Sequence, residues 1–165
     1  MKLFRDNIDL ISRLLALIEL LDNDRWKYKI YSINNETIGR HYRHIADFYL
    51  QLITGINSGY IDYDKRARNV SFEENIDFAK VTLERISHDL AVFKIEDKAI
   101  RVNMNQSMGS GSIDSSIKRE LMFVYDHAIH HAHIIQIAVS NEFLDLNFKD
   151  EFYSPSTIES LECAK

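Results

Sequence analysis

Four of the chain's seven histidines fall within one seven-residue stretch: His127, His130, His131 and His133. The surrounding segment, Glu120 to Val139, reads as part of one long helix. An α-helix advances 3.6 residues per turn, so residues four apart stack on one face. His127 and His131 can therefore aim two imidazoles at one point, which is how a helix holds a divalent metal. At about 100° per residue, Leu121, Val124, Ala128, Ala132, Ile135 and Ala138 mark the core face. His131 falls within that face and His127 at its edge, while His130 and His133 turn progressively away. A lone histidine at such an edge is most often a satisfied boundary residue. Two stacked there are as readily a pair of ligands.

Two imidazoles do not complete a site, because a catalytic zinc usually takes three protein ligands and keeps one position open. The third must come from another element. An earlier helix offers His41 and His44, both on the edge of its apolar face, and the wheel alone slightly favours His41. His88, in Ser87-His88-Asp89, reads as solvated. The HExxH pattern, which would supply two ligands and a general base, is absent. Ligation needs neutral rings, so metal affinity is expected to fall as pH drops through about 6.

Four helical segments must position these side chains. The first runs from about Asp6 to Leu21, with Ile8, Ile11, Leu14, Leu15 and Ile18 at helical spacing. A connector carrying Trp26, Tyr28 and Tyr31 follows. The second begins near Asn35 or Thr37, both suitable caps, and runs to about Thr54. Residues 55–70 read as a loop. Ser71-Phe-Glu-Glu74 has the form of a capping box and opens a third helix to about Phe93. Ile100, Val102 and Met104 alternate with polar residues as in a short strand, and Gly109-Ser-Gly111 would turn it back towards Ser112. The fourth helix starts after Asp114-Ser-Ser116 and runs to about Glu142, and a tail from Phe143 to Ile158 follows. The expected fold is a single all-α domain over residues 1–165. It is a four-helix bundle with a long crossover between the second and third helices and a short β-hairpin before the fourth.

Composition excludes several classes. The chain is 45% apolar and 27% charged, with one proline and five glycines, which suits long helices and opposes a β-sandwich. The formal charge of −5 offers no general attraction for nucleic acid. Lys65, Arg66 and Arg68 form a short basic run that reads as solvated. Cys163 is the single cysteine, so no intramolecular disulfide can form, and it stands one residue too late for a prenylation box. Arg5, Asp6 and Asp9 interrupt any signal-like apolar region, and Leu14 to Leu21 is too short to span a membrane. The glycosylation patterns at Asn35, Asn69 and Asn105 then read as chance. The cytoplasm is the expected compartment, with no nucleic-acid or membrane partner. A homodimer would cover the apolar area of the tyrosine-rich second helix and connector.

Thr37-Ile-Gly-Arg-His41-Tyr-Arg-His44-Ile-Ala-Asp-Phe-Tyr49 resembles the second helix of the DinB-like proteins, whose pattern there is roughly IGxHxxHI. His127-Ala-Ile-His130-His131 resembles their late HxxHH motif. Ile61 to Arg66 and Ser154 to Ile158 look like features of a subgroup of short, largely uncharacterised bacterial members. The end of the chain, Glu159 to Lys165, departs from the basic finish of that subgroup. The resemblance implies a four-helix bundle with a crossover and a metal on three histidines. The helix-two ligand is the histidine just before the apolar residue, which maps onto His44. The late pair maps onto His127 and His131. The ion would be zinc, nickel or iron. Some relatives are thiol-dependent transferases or isomerases, so the first expectation is a metal-dependent transferase that activates a low-molecular-weight thiol towards a small-molecule electrophile. Metal-dependent hydrolysis and a non-catalytic metal-binding or stress-response role are the alternatives. The bundle without any metal is a further one.

Overall fold

The computed structural model describes residues 2–93, 96–104, 109–146, 148, 152–154, 157, 159, 160 and 163. Helices α1 (Lys2–Ile18), α3 (Ile38–Ser58), α5 (Ile76–Val92) and α6 (Ile117–Glu142) are long; α2 (Asn23–Lys27) and α4 (Ser71–Glu74) are short. Strands β1 (Tyr60–Ile61), β2 (Ala99–Asn103) and β3 (Ser112–Ser116) form one sheet in the order β1-β2-β3. β1 pairs with β2 in parallel, and β2 pairs with β3 antiparallel. The all-α expectation is therefore corrected: the fold is mostly helical but carries a three-stranded mixed sheet. The alternation of buried Ile100 and Val102 with exposed neighbours gives β2 its period of two. A two-residue strand such as β1 leaves no period to read. The Asn105 glycosylation pattern and much of Ser154–Ile158 and Glu159–Lys165 lie outside the described residues.

Each long helix packs against two others. α1 contacts α5 and α6, and α3 contacts the same two. The core between them holds Leu10, Leu14, Ile45, Leu52, Leu83, Ile86, Leu121, Val124 and Ile135, all at most 1% exposed. The aromatic residues of α3 are anchored by their polar ends, as burial demands. The Tyr42 hydroxyl donates to the Leu14 carbonyl at 2.9 Å, and the Tyr49 hydroxyl donates to Asn7 Oδ1 at 2.7 Å.

Helix starts follow local chemistry. Thr37 caps α3 by accepting from Arg40 N at 3.1 Å, and Ser116 caps α6 by accepting from Arg119 N at 3.3 Å. The third predicted helix is split. Asn75 is extended (φ −137°, ψ 109°) and caps α5 by accepting from the backbone N–H groups of Asp77 and Phe78, so the Ser71 segment is only the short α4. Asp22, just past the expected end of the first helix at Leu21, caps α2, which buries Trp26.

The segment between α3 and α5 decides the site. It leaves the end of α3 at Gly59 and returns along the same helix. Tyr63 stacks on Phe48 with ring centroids 5.1 Å apart, the Lys65 carbonyl accepts from Gln51 at 3.0 Å, and Glu73 pairs with Arg43. α5 thus begins near the start of α3. Glu120, 1% exposed on α6, fixes this segment by accepting from the Tyr63 hydroxyl at 3.0 Å and from Ser115 Oγ at 2.6 Å. Gly39 allows the segment's far end to close on α3. A Cβ there would meet Trp26 Nε1 at 2.5 Å and the Glu73 carbonyl at 3.0 Å. Gly39→Ala is expected to lower stability by about 1–2 kcal/mol, overpacking outweighing the gain in helix propensity. A urea midpoint equal to that of the wild type would show that Trp26 yields freely.

Candidate metal centre

α3 and α6 run antiparallel with their histidines in register. His44 Nε2 lies 2.9 Å from His127 Nε2, and His41 Nδ1 lies 3.0 Å from His131 Nδ1. One turn further along, Phe48 faces Phe123 with centroids 6.0 Å apart. The caps at Thr37 and Ser116 set where each helix begins, and the buried stripes set which face it turns inward. One ring nitrogen from each of His44, His127 and His131 lies within 4.8 Å of the others. Zinc–nitrogen bonds of about 2.0–2.1 Å place tetrahedral ligand atoms about 3.3–3.4 Å apart, so small ring rotations close this group on an ion. The three histidines can hold a metal.

The surroundings keep these rings neutral. Burial, reinforced by His127 and Arg66, lowers His44 from 6.5 to about 4. Burial, with His130 and Arg66, lowers His127 to about 4. Burial, with His44, His127 and His41, lowers His131 to about 3. Burial also lowers His41. A neutral imidazole has a lone pair to give, which is the state a ligand needs.

Both α3 histidines reach the cluster, through different contacts. His41 meets His131 through Nδ1, which leaves His131 Nε2 as its free ring nitrogen. Such a partner fixes the orientation of a ligating ring. His44 faces His127 directly, and its ring centroid lies 4.4 Å from that of His131. The other histidines stay outside. His130 is exposed. His133 turns to a different cavity beside Tyr153, with ring centroids 6.0 Å apart. His88 is exposed and lies 3.6 Å from Asp89.

One wall of the centre is aromatic. Phe48 lies 4.0 Å from His127 and 5.0 Å from His44 by ring centroids. On another side a cavity of about 340 Å³ opens over His41, His44 and His131. Its rim holds Arg40, Arg43, Arg66 and Arg68. The basic run read as solvated is therefore only partly so. Arg66 is half-buried, its guanidinium stacked over Phe48 at 4.5 Å and donating to the Tyr63 carbonyl. Nothing in the local sequence signals this, because it depends on the return of residues 60–75 along α3. Asp47, buried behind the arginines, has its carboxyl pushed up by burial against the pull of Arg43, Arg66 and Arg68.

No helix among the described residues is long and apolar enough to cross a membrane. No protein-family model matches the chain, and comparisons with curated proteins and with solved structures find no match.

Proposed function

We propose that His44, His127 and His131 hold a divalent zinc, nickel or iron ion and that the protein uses it as a small-thiol-dependent transferase. The observation that carries this reading is a cluster of neutral ligand-type histidines lying against an open cavity instead of sealed in the core. A closed structural site has no use for a cavity at its ligands, whereas a catalytic one needs an unfilled position. The IGxHxxHI and HxxHH motifs, which resemble those of the DinB-like family, favour thiol chemistry over hydrolysis.

When bound, the metal makes a thiolate available at neutral pH by lowering the pKa of a coordinated thiol. The chain does the rest. Burial keeps the three rings unprotonated, His41 holds the orientation of His131, and Phe48 with Tyr63 excludes water from one side. The cavity over His131 admits the electrophile.

Metal-loaded protein is expected to accelerate conjugation of a small thiol to a chlorinated or epoxide test compound, saturably in thiol. His44→Ala is expected to reduce that rate more than 100-fold while far-ultraviolet circular dichroism is unchanged. Turnover that is independent of thiol would replace transfer with hydrolysis. No acceleration with any of several bacterial thiols would leave a non-catalytic metal-binding role.

A further inference from the structure

We infer that the cavity over the histidines takes a small molecule bearing an oxyanion, a carboxylate or a phosphate, held by Arg66 and Arg68. This names the substrate class of the same site and rests on the reading of that cavity as the substrate's entrance. Four arginines reach the rim, which is dense for a chain of formal charge −5. Their pairing divides them. Arg40 is held by Glu36 at 2.9 Å, and Arg43 by Glu73, with Asp47 3.8 Å from its Nε. Arg66 and Arg68 have no carboxylate within ion-pair distance among the described residues. Asp47 and Asp64 act on Arg66 only at longer range.

Two further observations point the same way. The described residues leave four buried side-chain nitrogens without a hydrogen-bond partner, and three belong to His41, Arg43 and Arg66 on this cavity. Unsatisfied buried polar atoms are uncommon; of these three, Arg66 Nε is a fixed donor with no carboxylate beside it, whereas Arg43 Nε faces Asp47 and His41 Nε2 donates in one tautomer only. Arg68 also holds a left-handed backbone, φ +48°, which a residue with a Cβ adopts at a cost. This turn sets the Arg68 side chain at the cavity rim. A planar guanidinium matches a carboxylate or phosphate through two parallel N–H donors, and stacking on Phe48 limits the freedom Arg66 loses on binding.

The test uses the metal-free protein, so that anion recognition is separated from metal uptake. Succinate, inorganic phosphate and uncharged succinamide are titrated at constant ionic strength, and arginine Nε–H resonances are followed by NMR. Succinate or phosphate is expected to saturate and to shift the Arg66 signal; the tighter of the two identifies the oxyanion. Arg68→Gln, an exposed change that cannot disturb packing, is expected to weaken binding at least 10-fold, and Arg66→Gln at least as much. Arg5→Gln, exposed on α1 and outside the cavity, is expected to leave it unchanged. Binding of succinamide as tight as succinate, no saturation by either anion, or equal loss in Arg68→Gln and Arg5→Gln would overturn the inference. Failure to take up metal beside intact anion binding would instead count against the metal reading alone.

Discussion

Protein purified without a histidine tag is expected to hold up to one divalent ion per chain, and His131→Ala is expected to hold none. The ring nitrogens of His44, His127 and His131 are the described group close enough to share an ion, so losing any one leaves two ligands where a catalytic site needs three. An affinity loss above 100-fold is expected for each of the three. His41→Ala should fall between, about 10–100-fold weaker, because it orients His131 without replacing it. His130→Ala and His133→Ala should bind as the wild type does, since one side chain is exposed and the other faces a different cavity. Isothermal titration with zinc, checked by elemental analysis, ranks all six. Equal losses at positions 130, 131 and 133 would mean that the face assignment on α6 is wrong. The pH dependence also shifts from the sequence expectation of about 6. The folded rings protonate only near 4 and 3, so affinity is expected to persist at pH 6 and to fall closer to pH 4–5.

The second large effect concerns the metal-free protein in acid. In the unfolded chain these histidines protonate near 6.5; in the fold they protonate at about 4, about 4 and about 3. Between pH 6.5 and 4 the unfolded state therefore binds more protons than the native state. Stability must rise with pH across that window and be lost on acidification. With allowance for solvent screening of half-exposed rings, the loss is expected to be about 1–3 kcal/mol between pH 7 and pH 4.5. The hydrogen-bonded pairs explain why neutrality matters. In His44–His127 and His41–His131 one ring must donate and the other accept, so full protonation leaves two donors facing each other. Urea unfolding at pH 7.5, 6 and 5 measures this, and zinc should offset the loss by binding the native state alone. A midpoint that does not move with pH, or a slope unchanged in a His44→Ala/His127→Ala double variant, would show that these rings do not carry the linkage.

The histidines were legible because a helix repeats. His127 and His131 are four apart on a wheel whose apolar side is plain, and the structure puts both rings in the cluster. The wheel and the motif disagreed over His41 and His44: His44 lies in the three-histidine group that could hold an ion, while His41 hydrogen-bonds His131. The arginines were not legible. Arg66 reaches Phe48 only because residues 60–75 return along α3, a long-range event with no local period. The sheet was half legible for a similar reason, since β2 alternates but β1 is two residues long and pairs Tyr60 with the distant Arg101. The split at Asn75 was hidden by Ser71, whose capping-box pattern goes unused: Ser71 lies inside a one-turn helix that begins after Val70 with no side-chain cap.

The rungs between α3 and α6 have one more consequence. Successive rungs, 41 with 131, 44 with 127 and 48 with 123, are one helical turn apart. Sliding one helix by a turn, about 5.4 Å, would set His44 opposite His131 and Phe48 opposite His127. Apolar packing alone discriminates weakly between two such alignments, because each replaces one ring with another ring. An ion shared by His44, His127 and His131, acting with the His41–His131 bond that the slide would break, would hold the present alignment. Besides any chemistry, it would act as a vernier stop, fixing the axial setting of the two helices that every other contact at the site depends on.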